Sequence, residues 1–320
     1  MTDERVQGIL AEFETSLQQR TGGLGQQNAI PVASTLFHYT DAAGLKGILE
    51  KDCLWLTDRI HLNDPSEIAY GMKFALDWCA ENVKTTDRLI RLFFGAFGTG
   101  LPAVLERHGF YVSSFSLAGD VLSQWCRYAD DGKGYCLEFS PGYLNSGWKT
   151  TQGLVTFSMS YNEVDIKLRQ ERCLSDAVAY VRKEEVFNTV AQAILSSGPD
   201  AQKEFVVGMQ ERITSELLWN AVQFKHPAYQ DEREARVLVT GELDALQSSK
   251  MHRTRPRGSE LVSYIELPFS PSVLDAGVLR RIRVGPAASA ESVKSARALL
   301  RSVGLPSVEV IKSEIPYRAR

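Results

Sequence analysis

The chain has 320 residues, 44% hydrophobic and 23% charged, an ordinary globular composition with enough length to bury a sizeable core. A formal net charge of −3 supplies no global basic field toward nucleic acid or membrane, and no apolar run approaches the ~20 residues that span a bilayer. The five scattered cysteines (Cys53, Cys79, Cys126, Cys136, Cys173) form no C-x-x-C, which disfavours a zinc knuckle, a thioredoxin-type site and a disulfide framework; with a polar N-terminus lacking an h-region, the expectation is a cytoplasmic protein with buried thiols.

Val6, Ile9, Leu10, Phe13 and Leu17 recur at helical spacing, so residues 3–20 read as one amphipathic helix, followed by a flexible Gly-rich connector at 22–28. Leu36–Tyr39 reads as a short strand, and Asp41 as the cap of a helix facing Leu45, Ile48 and Leu49 inward. A strand at Leu54–Thr57 leads to Asn63-Asp64-Pro65-Ser66-Glu67, a helix start with Asp64 as cap and Pro65 in the first turn. The apolar segment 87–106 is broken by glycines and Pro102. Strands are expected at 110–116, 135–139 and 153–161, with a short helix over 120–129.

Residues 170–222 read as two helices separated at 196–200, and the apolar strand after Glu234 follows. Residues 250–257 read as a basic loop, 261–267 as a strand, and 280–312 as a strand–helix–strand tail with Gly285-Pro286 at its first turn. Without regular βαβ alternation, the fold class is α+β, a mixed and mostly antiparallel central sheet with flanking helices. The division is residues 1–30 as helix and connector, then one domain over 31–320 with a helical insertion at about 170–222.

Glu232-x-Glu234-x-Arg236 is the leading candidate for chemistry. On a strand these three side chains share a face, where unpaired charge is costly to bury. Such a pair suits acid/base work or stabilisation of a cationic transition state, but also suits a solvated ion pair. His38, Tyr39 and Thr40 stand where a strand meets a helix; His38 there either contacts a ligand or satisfies local backbone. Ser114 and Ser116 end a hydroxyl-rich strand, and Trp125 and Tyr128 share a helix face as core or as a stacking platform. No H-x-x-x-H pattern exists, so no metal is expected; a magnesium nuclease would have to use Asp64, Glu232 and Glu234. No P-loop or G-x-G-x-x-G is present.

Phe37-His38-Tyr39-Thr40, Leu54-Trp55-Leu56, Asn63-Asp64-Pro65-x-Glu67, Ser114-Phe115-Ser116, Trp125-x-x-Tyr128-Ala129-Asp130, Lys133–Phe139, Glu232-x-Glu234-x-Arg236 and Ile282–Pro286 occur in one order. Together, over roughly 35–317, they resemble the bacterial domain of unknown function family 2971, with Arg127 where W-x-H-Y carries a His.

The order His, hydroxyl strand with aromatics, late E-x-E also resembles the ADP-ribosyltransferase superfamily, including its DNA-modifying toxin branch. That resemblance implies NAD as substrate, a transferase core, and a setting such as a toxin or phage-defence effector with an antitoxin or other partner protein. It assigns His38 to an NAD ribose hydroxyl, Ser114 or Ser116 to the nicotinamide half, and Trp125 or Tyr128 to its ring. Glu234 would stabilise the oxocarbenium ion and Glu232 would position an acceptor left open among nucleic acid, protein and water. A non-catalytic nucleotide- or partner-binding module is the other alternative to the nuclease.

Overall fold

The structure is a computed structural model and describes residues 3–25, 28–31, 33–62, 67–84, 91, 104–141, 143, 154–269, 272–275 and 277–319. In chain order its first elements are α1 (Glu4–Gly25), β1 (Leu36–Thr40), α2 (Ala42–Lys51), β2 (Cys53–Asp58), α3 (Glu67–Asn82), β3 (His108–Ser116) and α4 (Leu122–Tyr128). Next come β4 (Tyr135–Phe139), β5 (Leu154–Ser158), α5 (Glu163–Val181), α6 (Glu184–Ser197), α7 (Pro199–Val222) and β6 (Glu234–Glu242). The last are α8 (Leu243–Gln247), β7 (His252–Arg257), β8 (Glu260–Pro268), β9 (Leu279–Val284), α9 (Ala290–Ser302) and β10 (Glu309–Lys312). The turn at 63–66 and most of the segment 87–106 lie outside the described residues.

Two compact units divide the chain. One comprises Met1–Asn28, Asp64–Arg107 and Ser160–Pro227, and the other Ala29–Asn63, His108–Met159 and Ala228–Arg320. The elements described in the first unit are helices. Its α1 buries Val6, Ile9, Leu10, Phe13 and Leu17, the apolar stripe of the sequence. Phe13 meets Tyr180 of α5 at a ring separation of 4.8 Å, and the Tyr180 hydroxyl donates to the Ile9 carbonyl. Helices α3 and α7 cross so closely at Gly71 that a Cβ there would stand 2.7 Å from the Ala221 Cα. Only glycine permits that approach.

Where two helices were expected over 170–222, three are present. Asn162 caps α5 through Val164 and Asp165, Arg182 closes it, and extended Lys183 starts α6. Neither Gly nor Pro marks that break, so nothing in the sequence announces it.

The second unit holds a ten-stranded sheet ordered β10-β9-β4-β1-β3-β2-β8-β7, with β6 also on β3 and β5 on β6. The pairings are antiparallel except β9 with β10. Strand β3 pairs along one edge with all of β6. Its other edge pairs with β2 at Tyr111 and Val112 and with β1 at Ser116. Residues 113–115 pair with neither β1 nor β2, which leaves a split along that edge of β3.

One face of this sheet is the core: Leu36, Leu54, Leu56, Tyr111, Phe115, Ala235 and Val237 pack with Leu45, Ile48 and Leu49 of α2. Asp41 caps α2 by accepting from the Gly44 N–H, as its position predicts. The basic stretch expected as a loop is the strand β7, with Arg253, Arg255 and Arg257 on one side. Its alternation escapes notice because that side is cationic rather than apolar.

At the turn after β9 the Gly285 N–H donates to the Gly134 carbonyl, and a Cβ would fall 2.2 Å from the Gly132 carbonyl oxygen. None of the described helices is long and apolar enough to cross a membrane. The cysteines are free thiols, with all but Cys126 buried.

Candidate functional site

The sheet register determines which candidate side chains can meet. Ser114 stands opposite Arg236, and Ser116 opposite Glu234, so these four share the face turned away from the main core. The Ser114 hydroxyl donates to Glu234 Oε1 at 2.5 Å. Arg236 donates through Nε to Oε1 at 2.6 Å and through Nη2 to Oε2 at 3.1 Å. Glu234 and Arg236 are each only 4% exposed. A buried carboxylate of this kind persists because a planar guanidinium meets it twice.

Glu232 reaches the same region by another route. The expected alternation fails at Arg233, whose φ of 43° turns the chain, and β6 begins only at Glu234. Glu232 instead closes a 3₁₀ turn, Pro227–Glu232. Two bonds fix that turn against β3: the Ser116 hydroxyl donates to the Glu232 carbonyl, and the Leu117 N–H to the Arg233 carbonyl. The Glu232 carboxylate, also buried, accepts from Arg127 Nη1 at 2.8 Å and from the Tyr128 hydroxyl at 3.0 Å. Arg127 lies 5.6 Å from the Tyr229 ring centroid. Sequence reasoning set Arg127 aside as a departure from W-x-H-Y, yet it supplies the cation that neutralises Glu232.

His38 lies on β1 beside the split in the sheet. Its Nδ1 is 2.9 Å from the Ser114 carbonyl oxygen, so Nδ1 carries the proton and donates. Burial pushes its pKa below 6.5, partly offset by that carbonyl. The ring is therefore neutral at pH 7, and Nε2 offers a lone pair. Register places Phe37, not His38, on the Ser116 and Glu234 face, and the His38 ring lies 5.3 Å from that of Phe115. His38 and Glu234 thus approach Ser114 from different sides, one through its carbonyl and the other through its hydroxyl. Their polar atoms stand within about 10 Å, given bonds of 2.9 and 2.5 Å and the span of one residue.

Tyr39 takes the opposite face from His38. Its hydroxyl donates to the Ala118 carbonyl and accepts from the Val121 N–H, and its ring meets Trp125 edge-on at 5.0 Å. Trp125 is fully buried and donates Nε1–H to Asp120 at 2.9 Å. Its packing is that of a core side chain. Tyr128 engages Glu232, and Thr40 sets its hydroxyl against Gly44, where any Cβ would collide with it. Asp120 also accepts from Arg283 and Ser313, tying the tail of the chain to α4. No sequence pattern links those distant positions.

Asp64, needed by the nuclease alternative, lies outside the described residues. Among the described residues no three His, Cys, Asp or Glu side chains gather as a metal site would require. What the arrangement offers is two fixed, cation-paired carboxylates and a neutral imidazole, all anchored on one hydroxyl-bearing strand.

Residues 124–237 match the family described as "Protein of unknown function (DUF2971)". No curated protein and no solved structure matches the chain. The matched segment runs from the start of α4 to the first half of β6 and so contains Trp125, Arg127, Tyr128, Glu232, Glu234 and Arg236.

Proposed function

We propose that the second unit binds NAD and processes it as an ADP-ribosyltransferase-like enzyme. One observation carries the reading: Ser114 joins His38 through its carbonyl and Glu234 through its hydroxyl. A neutral imidazole with an open lone pair suits a ribose hydroxyl, which donates. Glu234, preorganised on the other side of Ser114, would face the positive charge that grows as the nicotinamide–ribose bond breaks. Glu232, held by Arg127 and Tyr128, would address the acceptor, whether nucleic acid, protein or water.

The test incubates the purified protein with NAD labelled in its ADP-ribose half, with and without cell lysate. Wild type should release nicotinamide or transfer label, and Glu234→Gln should reduce either by about a hundredfold or more. Equal behaviour of the two proteins, with neither product, overturns the reading.

A second reading, nucleotide recognition without turnover, is favoured by the burial of Glu234 and its engagement by Ser114 and Arg236. It predicts NAD binding that weakens in His38→Ala, with no nicotinamide released by wild type.

A further inference from the structure

Arg255 is the best-placed cation in the second unit that the proposed function leaves unused. It projects from the middle of edge strand β7, half-buried, with its guanidinium carbon 4.9 Å from the Trp55 ring centroid and 5.7 Å from that of Tyr264. Two aromatic faces hold the planar group while leaving its N–H donors unspent. Among the described residues no carboxylate lies within ion-pair distance of it. The Nε–H is buried without an acceptor, and Nη2 reaches only the Thr57 hydroxyl at a long 3.4 Å.

The surrounding charges do not answer this one. Glu260, opposite Arg257 on β8, makes no ion pair with it, and Glu266 is shared by Lys51 and Arg253. Asp41 contributes only at longer range and spends its Oδ1 on the α2 cap. Arg257 donates to the His61 carbonyl and adds like charge. Burial and that like charge push the Arg255 pKa down, the signature of a cation lacking a counter-anion. A partly desolvated guanidinium in this state is costly unless an anion completes it.

We propose that Arg255, braced by Trp55 and Tyr264, is the anchor of a phosphate-binding site whose ligand is a phosphorylated nucleotide. The planar fork matches two oxygens of one phosphate, and Arg253 and Arg257 on the same side of the strand add long-range attraction. Thr57, which Arg255 touches, pairs with Val112 and so lies on the sheet face that carries Ser114, Ser116 and Glu234, the face opposite to that of His38. The site stands on its own observations and does not need NAD to be turned over.

Calorimetric titration of the full chain with inorganic pyrophosphate, ADP and adenosine tests it. Pyrophosphate and ADP should bind and adenosine should not. Arg255→Met should weaken both by about 30-fold or more, and Arg255→Lys, which keeps charge but loses the fork, by about tenfold. Near-ultraviolet circular dichroism of both variants guards against misfolding, and the lysine variant carries the test if the methionine variant unfolds. A short single-stranded oligonucleotide that binds more tightly than ADP, again through Arg255, places the phosphate on a polymer and leaves the site standing. Absent binding of every phosphate probe, affinities unchanged in both variants, or adenosine binding as well as ADP overturns the proposal.

Discussion

Glu234 is held in place chiefly by Arg236, and removing the two partners should have unequal consequences. Arg236→Met leaves a carboxylate 4% exposed with its cation gone, which should cost about 3–5 kcal/mol of unfolding free energy. Glu234→Gln in that background removes the stranded charge and should restore part of the loss, so the double variant falls short of the sum. Urea unfolding of the four proteins reads this, and additive costs would show that the pair is not energetically linked. The sequence made Glu234 and Arg236 neighbours on one face, since period-two alternation is a property of any strand. It could not show Glu232 leaving that alternation, because a positive φ at a non-glycine such as Arg233 has no residue signature. Nor could it pair Arg127 with Glu232, which are brought together only by the packing of α4 against the turn before β6.

At the scale of elements, α7 carries a pH-sensitive group. Glu216 has a buried Oε1 without a hydrogen-bond partner, and burial raises its pKa from 4.5 to about 7. Its protonated form is the one the fold favours. That contribution is complete below about pH 4.5, declines as pH rises through about 7, and is flat above. Glu216→Gln should therefore match wild type near pH 4.5 and exceed it at pH 8 by at most about 3 kcal/mol, less whatever residual solvent screens. Thermal melts across pH 4–8 measure the gap, and a gap that stays constant or narrows with pH would refute it. Helices α1 and α2 were legible as amphipathic stripes, because each buries one apolar side. Strand β7 was not, since a cationic edge strand has no apolar side to reveal its period, and the α5–α6 break was hidden because Arg182 and Lys183 are ordinary helix formers.

For the whole molecule, the sheet register explains how an interrupted chain can still specify the second unit. Strands β2 and β3 pair antiparallel, with Asp58 opposite Tyr111, so the chain leaves and re-enters at one end of a hairpin. The same holds for β5 and β6, with Ser158 opposite Ala235. Residues 64–107 and 160–227 are therefore hairpin connections that belong to the helical unit. Closing a long connection costs only slightly more than closing a short one, because the entropy grows with the logarithm of its length. Register and core must then come from the strands: Phe115, Ala235 and Val237 share the buried face, whatever the connections contain. A chain of residues 29–319 in which each long connection is replaced by a Gly/Asn turn of about six residues should fold cooperatively. Dispersed amide resonances and a single urea transition would show it, and nucleotide affinity should survive wherever the full chain displays it. A collapsed product without dispersed resonances would mean that the strands need the helical segments to find their register, and that the division into units is one of packing alone.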